Sequence, residues 1–103
     1  MPNGDRRIRA GVVGTGHMGQ YHILAYAELW DVELVGIVDA DGEKARRLAS
    51  QYDTRAFPDH RDLIGKVDVV SVAVPTPLHF AVTRDLLEAG INALVEKPLT
   101  PTL

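Results

Sequence analysis

Apolar runs of strand length alternate along the chain with stretches in which apolar residues recur every three or four positions. Runs at Ile8–Val13, Glu33–Val38, Thr54–Phe57, Val67–Ala73 and Ile91–Val95 predict strands, and the intervening His17–Leu29, Gly42–Tyr52, His60–Ile64 and His79–Ala89 predict helices. Asp41 and Asp59 stand where helix N-caps are wanted, and Gly65 and Gly90 where a left-handed residue closes a helix. The run VDVVSVAV is apolar at nearly every position, as expected of a strand covered on both faces rather than one. Tyr26, Leu29 and Trp30 are expected to pack in the core or at a helix end. The pattern predicts an α/β fold, a doubly wound parallel sheet of Rossmann type with strand order 3-2-1-4-5, in a single domain over residues 1–103.

Composition narrows the function classes. A chain of 103 residues, 46% of them hydrophobic, can bury one core and not two. A net charge of -3 leaves no footprint for nucleic acid, and Arg6-Arg7 and Lys44-Arg46-Arg47 read as solvated faces. The absence of cysteine removes disulfides, thiolate metal sites and cysteine nucleophiles together. His17, His22, His60 and His79 lack metal-ligand spacing. No segment approaches the ~20 apolar residues of a membrane span, and the amino-terminal stretch is poor signal-peptide material. A cytoplasmic protein with a small-molecule partner is the expectation, with neither nucleic acid nor membrane.

The candidate chemistry begins at GVVGTGHMGQYH, where an apolar run ends in Gly14-x-Gly16-x-x-Gly19. Alone, such a triplet fits either a phosphate cradle or a turn that needs small residues. Two features of context favour the cradle. The glycines lie between a strand and a helix, so that Gly14 permits the turn, Gly16 admits a pyrophosphate to the backbone and Gly19 allows helix and strand to pack closely. The helix N-terminus presents N–H groups to the phosphates. Asp39 also follows Gly19 by twenty positions (39 - 19 = 20), at the end of the second strand, where a carboxylate can accept from ribose hydroxyls. A carboxylate there disfavours a 2'-phosphate, and Ala40 follows where an NADP site would carry arginine. NAD is the expected cofactor, with Gly14, Thr15, Gly16, His17, Met18, Gly19 and Asp39 as candidate cofactor-binding residues. The bland reading of Asp39 is a turn or helix cap.

The predicted strand order brings the glycine loop, Asp39, VPTPLH and VEKPLT to one edge of the sheet. The distance from the second strand to the fifth is roughly 14 Å, at ~4.8 Å per strand, which suits an extended dinucleotide. These segments resemble the amino-terminal domain of the Gfo/Idh/MocA oxidoreductases, over Ile8 to Thr100, with Glu96-Lys97-Pro98 as the most specific part. The resemblance implies that Lys97 is catalytic, touching the substrate and its reacting hydroxyl. It also implies that Pro75, Thr76, Glu96 and Lys97 serve the nicotinamide half, and it matches His22 and His79 to histidines common in the family. Without that resemblance, Lys97 reads as a surface lysine, His22 as a packing residue and His79 as a local cap. VAVPTPLHFAV and EAGINALVEKP look most like sugar-nucleotide members, including enzymes that oxidise the 3-hydroxyl of UDP-N-acetylglucosamine. The family continues into a further helix and strand and then an α/β domain, so the chain is expected to be an incomplete fragment. It is also expected to be inactive alone and homo-oligomeric when full length. A non-catalytic NAD-binding sensor is the alternative class. A methyltransferase is weaker, because its cofactor has no pyrophosphate.

Overall fold

Ile8–Val13 (β1) is an extended apolar run that enters the middle of the sheet, and its last four residues are buried. The computed structural model describes residues 7–74 and 76–95, of which 76–80 as backbone. After β1 come His17–Glu28 (α1), Val32–Val38 (β2), Gly42–Gln51 (α2), Arg55–Phe57 (β3), a 3-10 turn at His60–Leu63, Val69–Val72 (β4), Thr76–Glu88 (α3) and Asn92–Val95 (β5). All four strand pairings are parallel, in the order β3-β2-β1-β4-β5 that the sequence predicts. Parallel neighbours need crossovers, and those crossovers cover both faces of the sheet.

Alternation along the strands divides the core. Val12 and Ile37 point to α1 and α2, where they meet Ile23, Ala45, Leu48 and Ala49. Val13, Val38, Val70 and Val72 point the other way, toward Leu63, Val82, Leu86 and Ile91. Each β1 neighbour in sequence therefore serves a different layer. The α2 helix buries Ala45, Leu48 and Ala49 at the i, i+3, i+4 spacing of one face, while Arg46 and Arg47 stay exposed as the charge pattern predicts. Asp41 caps it by accepting from the Lys44 N–H at 3.1 Å. Asp59 and Asp62 form a reciprocal capping box around the 3-10 turn. Gly65 and Gly90 have φ of +84° and +82°, the left-handed closures expected of them.

Four expectations shift. The segment after β3 is a 3-10 turn, too short to hold α-helical geometry. Three strands, β3, β4 and β5, are shorter than their apolar runs, while β2 gains Val32: Val67 is buried but precedes β4, and Thr54 precedes β3, where its hydroxyl donates to the Leu34 carbonyl at 2.7 Å. The α3 helix starts at Thr76 and not at His79, because Pro77 lies in the first turn, where a missing N–H has no intrahelical acceptor to lose. His79 is thus the fourth residue of α3 rather than its cap. Trp30 is 83% exposed and Leu29 49% exposed, because α1 ends at Glu28 and the chain turns outward there before β2. Only Tyr26 of that group turns inward.

Leu63 is fully buried and touches the layer under α3, so Leu63→Ala should lower unfolding free energy by about 2–5 kcal/mol. Trp30→Ala should change it by no more than about 0.5 kcal/mol. Urea unfolding of both variants checks the layer assignment, and a large loss at Trp30 would contradict it.

Candidate functional site

The carboxyl ends of β1, β2 and β4 are joined by backbone hydrogen bonds. The Gly14 N–H donates to the Val38 carbonyl at 2.7 Å, and the Ala73 N–H donates to the Val13 carbonyl at 2.8 Å. The three connections that follow these strands are therefore held side by side, at the edge where the sequence places the site. Gly14 leaves β1 with φ of +99°, which a side chain would oppose, and a Cβ there would lie 2.5 Å from the Ala73 carbonyl oxygen. A Cβ on Gly19 would run into the Gly14 carbonyl. Gly16 is different, since a Cβ added to it would meet nothing within 4 Å. The first and third glycines are required by the protein's own packing. The second opens onto empty space at the start of a helix.

Gly16 is also the N-cap of α1 and brings no side-chain acceptor to the first turn. Such a terminus carries partial positive charge and N–H groups suited to an anion. His17 and Met18, the first two residues of α1, are exposed beside it. Thr15, unlike Gly16, His17 and Met18, is wholly buried. Its hydroxyl and its N–H both donate to Asp39 Oδ2, at 2.6 and 2.7 Å, and its carbonyl accepts from Gln20 Nε2 at 2.9 Å.

Asp39 follows β2 directly and is partly buried. Its Oδ1 accepts from the Asp41 N–H at 2.8 Å, so the carboxylate braces the turn into α2 as well as the glycine loop. Burial pushes its pKa up, but the Thr15 hydroxyl, the Asp41 and Thr15 N–H groups and the Lys44 charge outweigh it and hold the pKa below the ordinary value. Asp39 is therefore a fixed anion. The turn-brace reading and the ligand reading are compatible, because one carboxylate does the first without filling all of its acceptor sites.

Of the other candidates, Thr76 and His79 are the first and fourth residues of α3, next to the glycine loop through the Ala73–Val74 connection. Pro75, Glu96 and Lys97 lie outside the described residues. His22 is half-buried under α1, with Nδ1 3.3 Å from Ser71 Oγ, and Ser71 is in turn 2.6 Å from the Tyr26 hydroxyl. It faces β4 rather than the helix's outer surface. No group of three or more histidine, aspartate or glutamate side chains among the described residues could hold a metal ion. No helix among them is long and apolar enough to cross a membrane.

Two arrangements escape the sequence reading. Thr15 stands out as a β-branched hydroxyl residue between two glycines, a signal for one member of the Thr15–Asp39 pair that does not name the other. The Tyr26–Ser71–His22 group has its signal in Ser71, a polar residue inside an apolar, fully covered strand, which needs a partner from a neighbouring element.

A family model described as an oxidoreductase family with an NAD-binding Rossmann fold matches residues 8–103. UDP-N-acetylglucosamine 3-dehydrogenase of Acidithiobacillus ferrooxidans is 41% identical over 93 residues, which is 90% of this chain and 29% of that enzyme. Its solved structure superposes with a TM-score of 0.83 at 40% identity, covering 91% of this chain and 30% of that one. Inositol 2-dehydrogenase 3 of Saccharopolyspora erythraea is 36% identical over 95 residues, 89% of this chain and 28% of that enzyme. The structure of GenD2 from gentamicin A biosynthesis, in complex with NAD, gives a TM-score of 0.85 at 33% identity, over 90% of this chain and 27% of that one. The chain thus spans under a third of the length of these relatives.

The two kinds of glycine should separate by substitution. Gly19→Ala, which forces a methyl into the Gly14 carbonyl, should destabilise by about 3 kcal/mol or more. Gly16→Ala should stay within about 1 kcal/mol, the difference between glycine and alanine as an N-cap. Thermal melting followed by circular dichroism reads both, and equal losses would remove the distinction.

Proposed function

The chain belongs to the Gfo/Idh/MocA oxidoreductase family, and on that premise we propose that it is the cofactor-holding part of a dehydrogenase for a ring alcohol. The substrate class would be a sugar, a sugar nucleotide or a polyol. The observation that carries the proposal is the open space at Gly16, at the start of α1 and one residue from the Thr15–Asp39 pair. That space admits the pyrophosphate of NAD to the backbone N–H groups of α1, while Asp39 accepts from a ribose hydroxyl. Bound there, NAD supplies a hydride acceptor for oxidation of an alcohol. The residues fit the group at both ends of its adenosine half: small where the phosphates approach, and acidic where the ribose lies.

At the other half, we assign Pro75, Thr76, His79 and Glu96 to the nicotinamide side of the site, and Lys97 to the reacting hydroxyl. The support is their place in the chain. Thr76 and His79 open α3 directly after the connection that packs on Gly14, and Glu96-Lys97 follow β5, which lies beside β4 in the same sheet. An ammonium at that edge can orient the alcohol and take part in moving its proton. The 41% identity to a UDP-N-acetylglucosamine dehydrogenase favours a sugar nucleotide within the substrate class. A cytoplasmic homo-oligomer, drawing on the intracellular nicotinamide pool, completes the proposal.

Two measurements test it. The Asp39 carboxylate near a 2'-phosphate would cost about 4 kcal/mol per unit charge at ~4 Å and an effective dielectric of 20, so calorimetric titration should find NAD tighter than NADP. Equal or reversed affinities would refute the assignment of Asp39. In the protein that carries the substrate-binding portion, Lys97→Met should lower kcat by about 10²- to 10⁴-fold and leave NAD affinity intact. Unchanged turnover would return Lys97 to a surface residue, and weakened NAD binding with normal kcat would make it a cofactor contact.

A further inference from the structure

Thr15 is the only residue of the glycine loop whose side chain is aimed into the protein, and every polar group it has is engaged. Its hydroxyl and N–H go to Asp39 Oδ2, and its carbonyl takes a hydrogen bond from Gln20 on α1. A carboxylate offers about four acceptor positions, two on each oxygen. The two Thr15 donors fill those of Oδ2, and the Asp41 N–H fills one on Oδ1. One position on Oδ1 is left. An acid meant only as a brace could use all four positions, and one meant only as a ligand group would be free to turn. Asp39 is neither.

We infer that Thr15 is a positioning residue that sets cofactor choice, by clamping Asp39 so that Oδ1 alone is offered to the adenosine ribose and the carboxylate cannot rotate away from a 2'-phosphate. The inference rests on the NAD reading and extends it. Electrostatic repulsion excludes a phosphate only if the repelling group stays in place, since a carboxylate on a free side chain can swing to another rotamer at small cost. Three donors spread over two connections prevent that movement here. The buried hydroxyl is the one a substitution can remove without touching the backbone. Gln20 belongs to the same device, because it holds the Thr15 carbonyl, in the peptide that follows the one whose N–H meets Asp39, and so pins the other side of the Thr15 Cα.

The test is calorimetric titration of NAD and NADP against the chain and its Thr15→Val and Thr15→Ser variants. Valine keeps the volume and removes the hydroxyl, and serine keeps the hydroxyl and removes the methyl. Loss of a hydrogen bond to a charged group should weaken NAD binding in Thr15→Val by about 10-fold and shrink the preference for NAD over NADP by a similar factor, with Thr15→Ser close to the unaltered chain. The Asp39 carboxyl, followed by carbon-detected NMR, should titrate at a higher pH in Thr15→Val, which a change that only loosened packing would not produce. Retained NAD affinity and retained discrimination in folded Thr15→Val would overturn the inference. If that variant does not fold, Thr15→Cys, similar in size and a weaker donor, replaces it, and cofactor choice identical to that of the unaltered chain overturns the inference equally. Failure of the unaltered chain to bind NAD at all would instead overturn the reading beneath it.

Discussion

The carboxylate of Asp39 ties the end of β2 to the turn after β1, and the edge of the sheet that carries the site depends on that tie. A glycine-rich turn loses more conformational freedom on ordering than any other segment of its length, so something must hold it. Here the holding groups are backbone hydrogen bonds from Gly14 to Val38 and from Ala73 to Val13, together with the Thr15–Asp39 contact. The first two fix where the loop leaves the sheet. The third fixes where it goes next, and so where the N-terminus of α1 points. Without it, Gly16 would still be small, but the N–H groups behind it would have no settled direction.

Division of labour among the glycines follows from the same geometry. Gly14 and Gly19 are pressed against Ala73, the residue after β4, and against each other, which brings α1 close to the sheet; Gly16 faces outward. The site is therefore made by packing on one side and by vacancy on the other. Charge is arranged to match. The start of α1 favours an anion, while an Asp39 that remains ionised stands one connection away and refuses one. A molecule with phosphates at one place and neutral hydroxyls at the next satisfies both.

The fold was legible because its signals are long and redundant. Five apolar runs, four cap residues on three helical segments and a strand buried on both faces all agree with one topology, and every parallel neighbour follows from it. The glycine triplet and Asp39 were legible for a different reason, since their spacing matters only if a strand, a turn and a helix occur in that order. Boundaries were harder. Pro77 reads as a helix breaker in a string of letters, yet the first turn of a helix accepts it, and α3 begins at Thr76. Trp30 reads as core or helix-end packing because it is large and apolar, and its exposure beyond the end of α1 at Glu28 shows that it is not core. What could not be read was pairing between side chains distant in sequence. Thr15 and Asp39 are 24 residues apart, and Ser71 meets Tyr26 across 45; neither partner announces the other.

The most direct test of this account is a map of backbone amide shifts as NAD is added to the isotopically labelled chain. If the carboxyl edge of β1 and β2 holds the dinucleotide, the amides of Gly16, His17, Met18 and Gly19 should move first and furthest, with those of Asp39 and Ala40, and saturate together. Shifts confined to the opposite end of the sheet, around the groove lined by Arg9, Glu33, Arg55 and Lys66, would contradict it. So would a spectrum that does not change.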